Sequence, residues 1–576
     1  MKKLLKYIQS VTILSALLFA GACNKAVDLK PINEISDASF WTTPSQYQLA
    51  ANEFYNYLRT FTDIINDNPH ADRRGDFMWL GASNSFSNGS NAVPASDGNW
   101  NTSYTRIRAT NYLLDKAKSY PIQADIAQYV SEAKFFRAYI YFDLLQMYGD
   151  VPIVDKLLSI SSPELTAARD SRDKVVDFII ADLEAAITTL PLETAIAASD
   201  KGRVSKGAAQ AFLSRVALYE GTWQKFRGNA TRANTLLDKA IANSDAVITS
   251  AQYQLFAPAA LGDSAQKYMF ILENQKSNPA GIVKAANKEY ILANRYDQAS
   301  RQIRFNVTKT VEANIFFLTK KFVNMYLSQD GLPIEKSPLF QGYGTTTSEF
   351  VNRDNRMRYT MLRDGQYYWS NQLIGSRVTW LGDAADIANS LGRFDGVRGS
   401  GYHTQKWSAE RQVNDNEEGY DYPVVRYAEV LLNFAEAKFE KDGTISDADL
   451  DKSLNLVRNR VNKTMPKLSN ALVATNGLDM RTEIRRERNI ELYFEGFRVD
   501  DLKRWKTAET EMPQPLDGIT WTGTQFQTRW PAISGAIVNG NYRLETARKW
   551  ADKNYLLPVP TQQIQLNANL TQNPSW

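Results

Sequence analysis

Hydrophobic side chains crowd every face of one stretch, Ser131 to Val154. They include Phe135, Phe136, Tyr139, Ile140, Phe142, Leu144, Leu145 and Tyr148, with Lys134, Arg137 and Asp143 among a few scattered charges. A helix apolar all round must be buried, and charges recurring every few residues exclude a membrane span. Ala133 and Ala138 let neighbours approach closely, while Gly149 followed by Pro152 supplies a stop. The pattern predicts a central helix of a large helical protein.

Helical periodicity recurs on both sides of this stretch. Ile35 to Leu58 reads as a helix with Asp37 or Ser39 as its cap, and Trp100, Tyr104, Ile107 and Asn111 open another. Val175 to Leu190, Lys206 to Tyr219 and Arg232 to Ile248 follow. The second of these echoes the central helix, with small residues one turn apart and an arginine four residues before a tyrosine (Arg137/Tyr141, Arg215/Tyr219). Such pairs resemble tetratricopeptide-type hairpins with irregular repeats. Helices return at Val425 to Lys441, Leu450 to Val461 and Ile484 to Trp505, and Tyr555 to Thr561 reads as extended. Between them, residues 66–101 and about 253–420 are rich in Gly, Ser, Asn and Pro with aromatics interspersed, so regular structure should be sparse there. An irregular segment of that length in a compact protein is functional or disordered.

Composition changes this picture little: 576 residues, 43% hydrophobic and 23% charged, describe an ordinary folded body. The N-terminus changes it more. Lys2, Lys3 and Lys6 precede an apolar run, Val11 to Ala20, too short to span a bilayer and laid out as a secretory leader, and the run ends Ala20-Gly-Ala-Cys23 at the chain's one cysteine. Small residues before a cysteine resemble a bacterial lipobox, whose leader is removed and whose cysteine is lipidated. Losing the three leader lysines takes the formal charge from +4 to +1, which removes the main support for nucleic-acid binding. The mature chain would then have no thiol free for a disulfide, so its stability rests on packing. The expected organisation is a signal peptide at 1–22, a lipidated tether at 23–31 and a single body at 32–576. Within the body a mainly α-helical scaffold occupies 32–250 and 421–510, a loop-rich ligand-facing region 66–101 and 253–420, and an extended segment 511–576.

An ordered series of segments carries a family resemblance: Cys23, Phe40-Trp41, Trp100 to Asn111, Glu132 to Val154, Gly202 to Ala209, Asp330 to Ile334, Asn352 to Asp354, Arg426 to Ala437, Leu454 to Arg460, Glu487 to Gly496, Asp501 to Trp505 and Leu556 to Pro560. Together they resemble the SusD/RagB family of outer-membrane nutrient-binding lipoproteins. The resemblance implies a SusD-like fold on tetratricopeptide-like hairpins, lipid-anchored in the outer membrane and facing the cell surface. It further implies a SusC-like TonB-dependent transporter as partner and the capture and delivery of an oligosaccharide or, in some members, a peptide. The matching segments are scaffold; Glu487 to Trp505 has the charge density of a helix with internal ion pairs.

Catalysis finds little footing. The two histidines, His70 and His403, are far apart, and no His-Glu-x-x-His, Gly-x-Ser-x-Gly or Gly-x-x-x-x-Gly-Lys motif occurs. Ser131-x-x-Lys134 and Ser171-x-x-Lys174 match a nucleophile spacing without companion motifs. A lipid-anchored glycosidase stays open, because paired carboxylates need no fixed spacing. No cofactor or metal is expected. Sugar binding needs flat aromatic faces with amides, carboxylates or arginine for hydroxyls. The loop-borne candidates are Arg74, Asp76, Trp79, Asn99 and Trp100 in the first irregular segment and Tyr296, Tyr343, Tyr368, Trp369 and Trp380 in the second, with core packing the alternative for each. Trp100 also fits the start of a buried helix.

Overall fold

A computed structural model describes residues 37, 40–274, 277–311, 316–364, 399–411, 414, 416–531 and 535–576, and the backbone course of 367–370 and 373–377. The leader, Cys23, the tether and Trp380 lie outside the described residues.

The described residues are mainly helical, with only short strands. The longer helices are α1 (Pro44–Phe54), α2 (Gly98–Ala117), α3 (Gln123–Tyr148), α4 (Arg172–Thr189), α5 (Lys206–Lys225), α6 (Ala230–Thr249), α7 (Tyr427–Asp442) and α8 (Met480–Leu492). The central stretch forms the 26-residue α3, buried on nearly every face of its C-terminal half. It stops at Gly149, whose φ of 74° suits glycine and whose missing Cβ leaves room for Leu556; a Cβ there would lie 2.8 Å from Leu556 Cδ1. The C-terminal strip closes over this end, with Leu557 N–H donating to the Met147 carbonyl and Asn573 Nδ2 to the Tyr148 carbonyl. The segment expected to be extended is not so throughout: Asp552–Tyr555 is a 3-10 turn, Thr561–Leu566 a helix, and Leu516–Thr520, Ala536–Val538 and Asn541–Glu545 form a three-stranded antiparallel sheet.

Successive helices pack as neighbours, α2 on α3, α3 on α4, α4 on α5 and α5 on α6, and α7 docks on both α5 and α6 while carrying α8 on its other side. The repeated arginine proves to be an interhelical clamp. Arg137 of α3 grips Asp182 of α4 with two bonds (2.7 and 2.8 Å) and Asn111 of α2 with a third (2.7 Å). Arg215 of α5 does the same to Glu429 of α7 (both bonds 2.6 Å).

Three expected helices differ in outline. The first starts at Pro44 rather than near Ile35: Thr43 caps it, with a box closed by Gln46, and Pro at N1 has no N–H to leave unsatisfied. Asp37 instead accepts from Trp41 Nε1, and Ser39 lies outside the described residues. Leu450 to Val461 breaks into Asp447–Asp451 and Leu454–Asn459. The Ile484 to Trp505 pattern ends as α8 at Leu492 and resumes as α9 (Arg498–Arg504), because Phe494 and Gly496 adopt positive φ (56° and 79°) and turn the chain.

The strands described in the irregular middle are short: the antiparallel pair β2 (Tyr290–Asn294) and β8 (Tyr422–Arg426), the hairpin β5 (Tyr367–Ser370) and β6 (Leu373–Arg377), and a four-stranded sheet in the order β1 (Met78–Trp79), β3 (Phe317–Leu318), β7 (His403–Thr404), β4 (Met361–Leu362). Beneath them lies a buried ionic hub. Arg426 at the end of β8 pairs with Glu289, Glu491 and Glu495 (2.9, 2.7 and 2.7 Å), Arg460 reaches Glu289 (2.8 Å), Arg356 pairs with Asp354 (2.7 Å) and Glu487 (2.5 Å), and Lys406 pairs with Glu495 (2.6 Å). The charge-dense segment from Glu487 is thus paired, but mostly with partners from distant segments. Among the described residues no helix is long and apolar enough to cross a membrane.

Candidate functional site

A cleft of about 450 Å³ opens where the turn after α1, the N-terminal part of α2 and the C-terminal end of α3 meet, within the size range of small-ligand sites. Its wall is Tyr57, in the 3-10 turn that follows α1, whose ring lies tilted and edge-on to Phe54 and Phe136 (5.7 and 6.4 Å) and beneath the Arg106 guanidinium (4.9 Å). Among the described residues Arg106 makes no hydrogen bond or ion pair beyond this stacking. At the cleft's base Arg59 binds Asp143 of α3 (2.7 Å). The Arg59 guanidinium, though burial opposes its charge, is held above its ordinary range chiefly by that carboxylate.

His70 is 5% exposed and also lines the cleft. Its Nδ1 sits 2.6 Å from Asp500 Oδ2, while its Nε2 makes no hydrogen bond and lies 3.9 Å from Asp143. The Nδ1 of His70 is thus committed to Asp500, and its Nε2 is buried without a hydrogen-bond partner among the described residues. Burial pushes Asp500 up, but His70 and Lys503 outweigh it and bring it down to about 2.

The remaining rim is amide and hydroxyl. Asp97 caps α2, accepting from the Asn99 backbone N–H (2.8 Å) and side chain (3.0 Å) with one oxygen and from Tyr148 (2.6 Å) with the other. This fixes Asn99 beside Thr102 on the cleft wall. Opposite, Asp63 accepts from the Thr60 backbone N–H (2.6 Å) and Asn68 (3.4 Å). Both carboxylates of the cleft are therefore engaged as structural acceptors. An aromatic ring flanked by guanidinium, amide, hydroxyl and imidazole groups suits a flat polyhydroxylated ligand. Among the described residues no group of three or more metal-ligating side chains comes together.

Of the residues picked from the sequence, Asn99 lies on this cleft. Asp76 is fully buried and spent on Arg498 (2.7 and 2.8 Å) and Lys321. Trp79 packs with Phe317 and Leu516, and Trp100 with Tyr104 and Tyr148. These three therefore take the interior role that the sequence left open. Arg74 pairs with Asp67 (2.8 Å) beside Phe86. Tyr296 rests between Phe61 (6.3 Å) and Arg301 (5.0 Å). Tyr343 stands apart, bonded to Asn324 (2.9 Å) with the Lys320 ammonium over its ring (3.4 Å), where burial pushes that lysine down to about 8. Tyr368 and Trp369 lie in the hairpin Tyr367–Ser370/Leu373–Arg377, and Trp380 lies outside the described residues.

Sequence reading missed Tyr57, Arg59, His70, Arg106 and Asp143. One signal was available: Asp143 is one of the few charges on the apolar C-terminal half of α3, and such a charge needs a partner or a wet face.

A family model described as "SusD family" matches residues 287–576, and another described as "Starch-binding associating with outer membrane" matches residues 38–218. The chain belongs to the SusD family. It is 23% identical over 550 residues to SusD-like protein P38 of Formosa agariphila, covering 92% of this chain and 96% of that one. It is 24% identical over 506 residues to a SusD-like protein of Bacteroides ovatus (85% and 81% covered). In structure it is similar to a SusD-like carbohydrate binding protein of Bacteroides fragilis, with a TM-score of 0.73 at 21% identity over 92% of this chain and all of that one. It is also similar to surface glycan-binding protein A of Bacteroides fluxus, with a TM-score of 0.59 at 17% identity over 93% and 100%. At family level SusD-like proteins bind carbohydrate and associate with the outer membrane.

Proposed function

We propose that this protein captures an oligosaccharide in the Tyr57–Asp143 cleft without cleaving it and delivers it to a SusC-like TonB-dependent transporter. A lipid on Cys23 would hold it in the outer membrane, facing the cell surface. The observation that carries the reading is the cleft itself: the Tyr57 ring with the Arg106 guanidinium over it, set among the amide and hydroxyl groups of Asn99, Thr102 and Thr62. The SusD-family match supports the ligand class. The absence of catalysis is supported by the engagement of Asp63 and Asp143 as acceptors for neighbouring groups.

Calorimetry and affinity electrophoresis against a polysaccharide and peptide panel test this. Binding of a glycan, weakened at least about tenfold by Tyr57→Ala through loss of the stacking face, is the expected result. Retention of full affinity by Tyr57→Ala would overturn the site. Tighter capture of peptides than of any glycan would transfer the function to peptide binding, and release of reducing ends at high protein concentration would make it a glycosidase. Co-purification with its transporter, lost on Cys23→Ala in cells, checks the membrane arrangement.

A further inference from the structure

Beyond Leu58, which walls the cleft on one side, a second cavity of about 320 Å³ opens between the turn at 199–203 and the end of β2. Past Arg295 it adjoins a third, of about 420 Å³, with which it shares Lys201, Gly202, Ala293 and Arg295. The charges around the second cavity do not balance. Arg203 is neutralised by Glu132 (2.9 and 2.6 Å) and Lys201 by Glu193 (3.2 Å). Among the described residues Arg295 and Arg301 have no carboxylate partner, and the acid that shares the lining with them, Asp200, accepts from Gln48 (3.3 Å).

Both arginines are nevertheless held in place. Arg301 lies over the Tyr296 ring (5.0 Å) and donates to Asn294 Oδ1 (3.0 Å) and to the Arg295 carbonyl. Arg295 donates to the Lys201 carbonyl, and its stem crosses Gly202, where φ is 104° and a Cβ would come within 2.5 Å of Arg295 Cδ. Nearby Asp297 turns its carboxylate onto the Ala299 and Ser300 N–H groups (both 2.9 Å). Two guanidinium groups oriented by neutral acceptors retain N–H donors and full charge for a ligand.

We infer that this cavity is a second subsite, recognising an anionic substituent, a carboxylate or a sulfate ester, on a sugar chain that continues from the cleft past Leu58. The inference rests on the glycan reading of the cleft for the neutral part of that chain. Arg301 and Arg295 supply the charge recognition, and Gly202 gives Arg295 its position.

The test uses the mature full-length protein and matched polymer pairs: polygalacturonate against its methyl ester, and dextran sulfate against dextran. The first pair reads the carboxylate and the second the sulfate. The charged member of one pair should bind at least tenfold more tightly, with an affinity that falls as salt rises. Arg301→Gln and Arg295→Gln should each remove most of that advantage while leaving the neutral member's affinity and the melting temperature unchanged, and Gly202→Ala should act like Arg295→Gln. Equal binding within both pairs, no binding of any charged polymer, or a charge preference that survives both arginine substitutions would overturn the subsite. Tyr57→Ala separates the two readings. If it leaves neutral binding intact while the arginine variants erase the charge preference, the cleft assignment fails and the anionic subsite stands.

Discussion

His70 and Asp500 form a contact between residues 430 positions apart, buried and 2.6 Å long. Because His70 and Lys503 bring Asp500 down to about 2, below the ordinary aspartate value near 3.9, the folded state binds fewer protons than the unfolded chain between those values. The contribution is complete above about pH 4 and is lost as pH falls toward 2. Glu436, opposed by burial but brought down to about 2 by Arg504, adds to it over the same window. Urea titrations from pH 5 to 2 should therefore show stability falling steeply below pH 4. Asp500→Asn should flatten that slope, and an unchanged slope would contradict the assignment. At Gly149 the expected effect has a different cause. Gly149→Ala meets both a positive φ and Leu556, and should cost about 1–3 kcal/mol in chemical denaturation.

At the scale of elements, α3 shows what charges on an apolar helix are for. Arg137 binds two neighbouring helices and Asp143 faces the cleft through Arg59. Breaking a buried pair leaves the survivor desolvated and alone, so Arg137→Met should destabilise by about 3–5 kcal/mol. The double variant Arg137→Met/Asp182→Leu should recover much of the loss. A double-mutant cycle by urea denaturation reads the difference, and recovery would be absent if Arg137 acted only through its packing. The periodicity of α3, its burial and its stop at Gly149 were legible because each depends on residues within a turn or two. The break between α8 and α9 was not, because Phe494 takes a left-handed conformation that the neighbouring hydrophobic pattern does not mark.

Across the whole molecule, the first irregular segment is pinned by the far end of the chain. Asp72 accepts from the Arg498 backbone N–H (2.9 Å), Asp76 holds the Arg498 side chain, and His70 meets Asp500. Helix α9 thus sets where residues 70–79 run and, through His70, the floor of the cleft. Arg498→Ala should raise amide exchange across residues 70–79 and weaken ligand binding, although Arg498 does not line the cleft. Hydrogen-exchange mass spectrometry checks this; protection unchanged at 70–79 would separate the two regions.

The sequence by itself determined the helical scaffold, the echo of Arg137 in Arg215, the sparse middle and the SusD resemblance, since periodicity, stop signals and short motifs are written in neighbouring residues. Only the tertiary structure decided that Asp76, Trp79 and Trp100 serve the interior while Tyr57, Arg59, His70, Arg106 and Asp143 form the cleft. A loop aromatic has the same composition whether it faces solvent or core. Which way it turns is set by ion pairs and packing between segments hundreds of residues apart, and no local pattern encodes that choice.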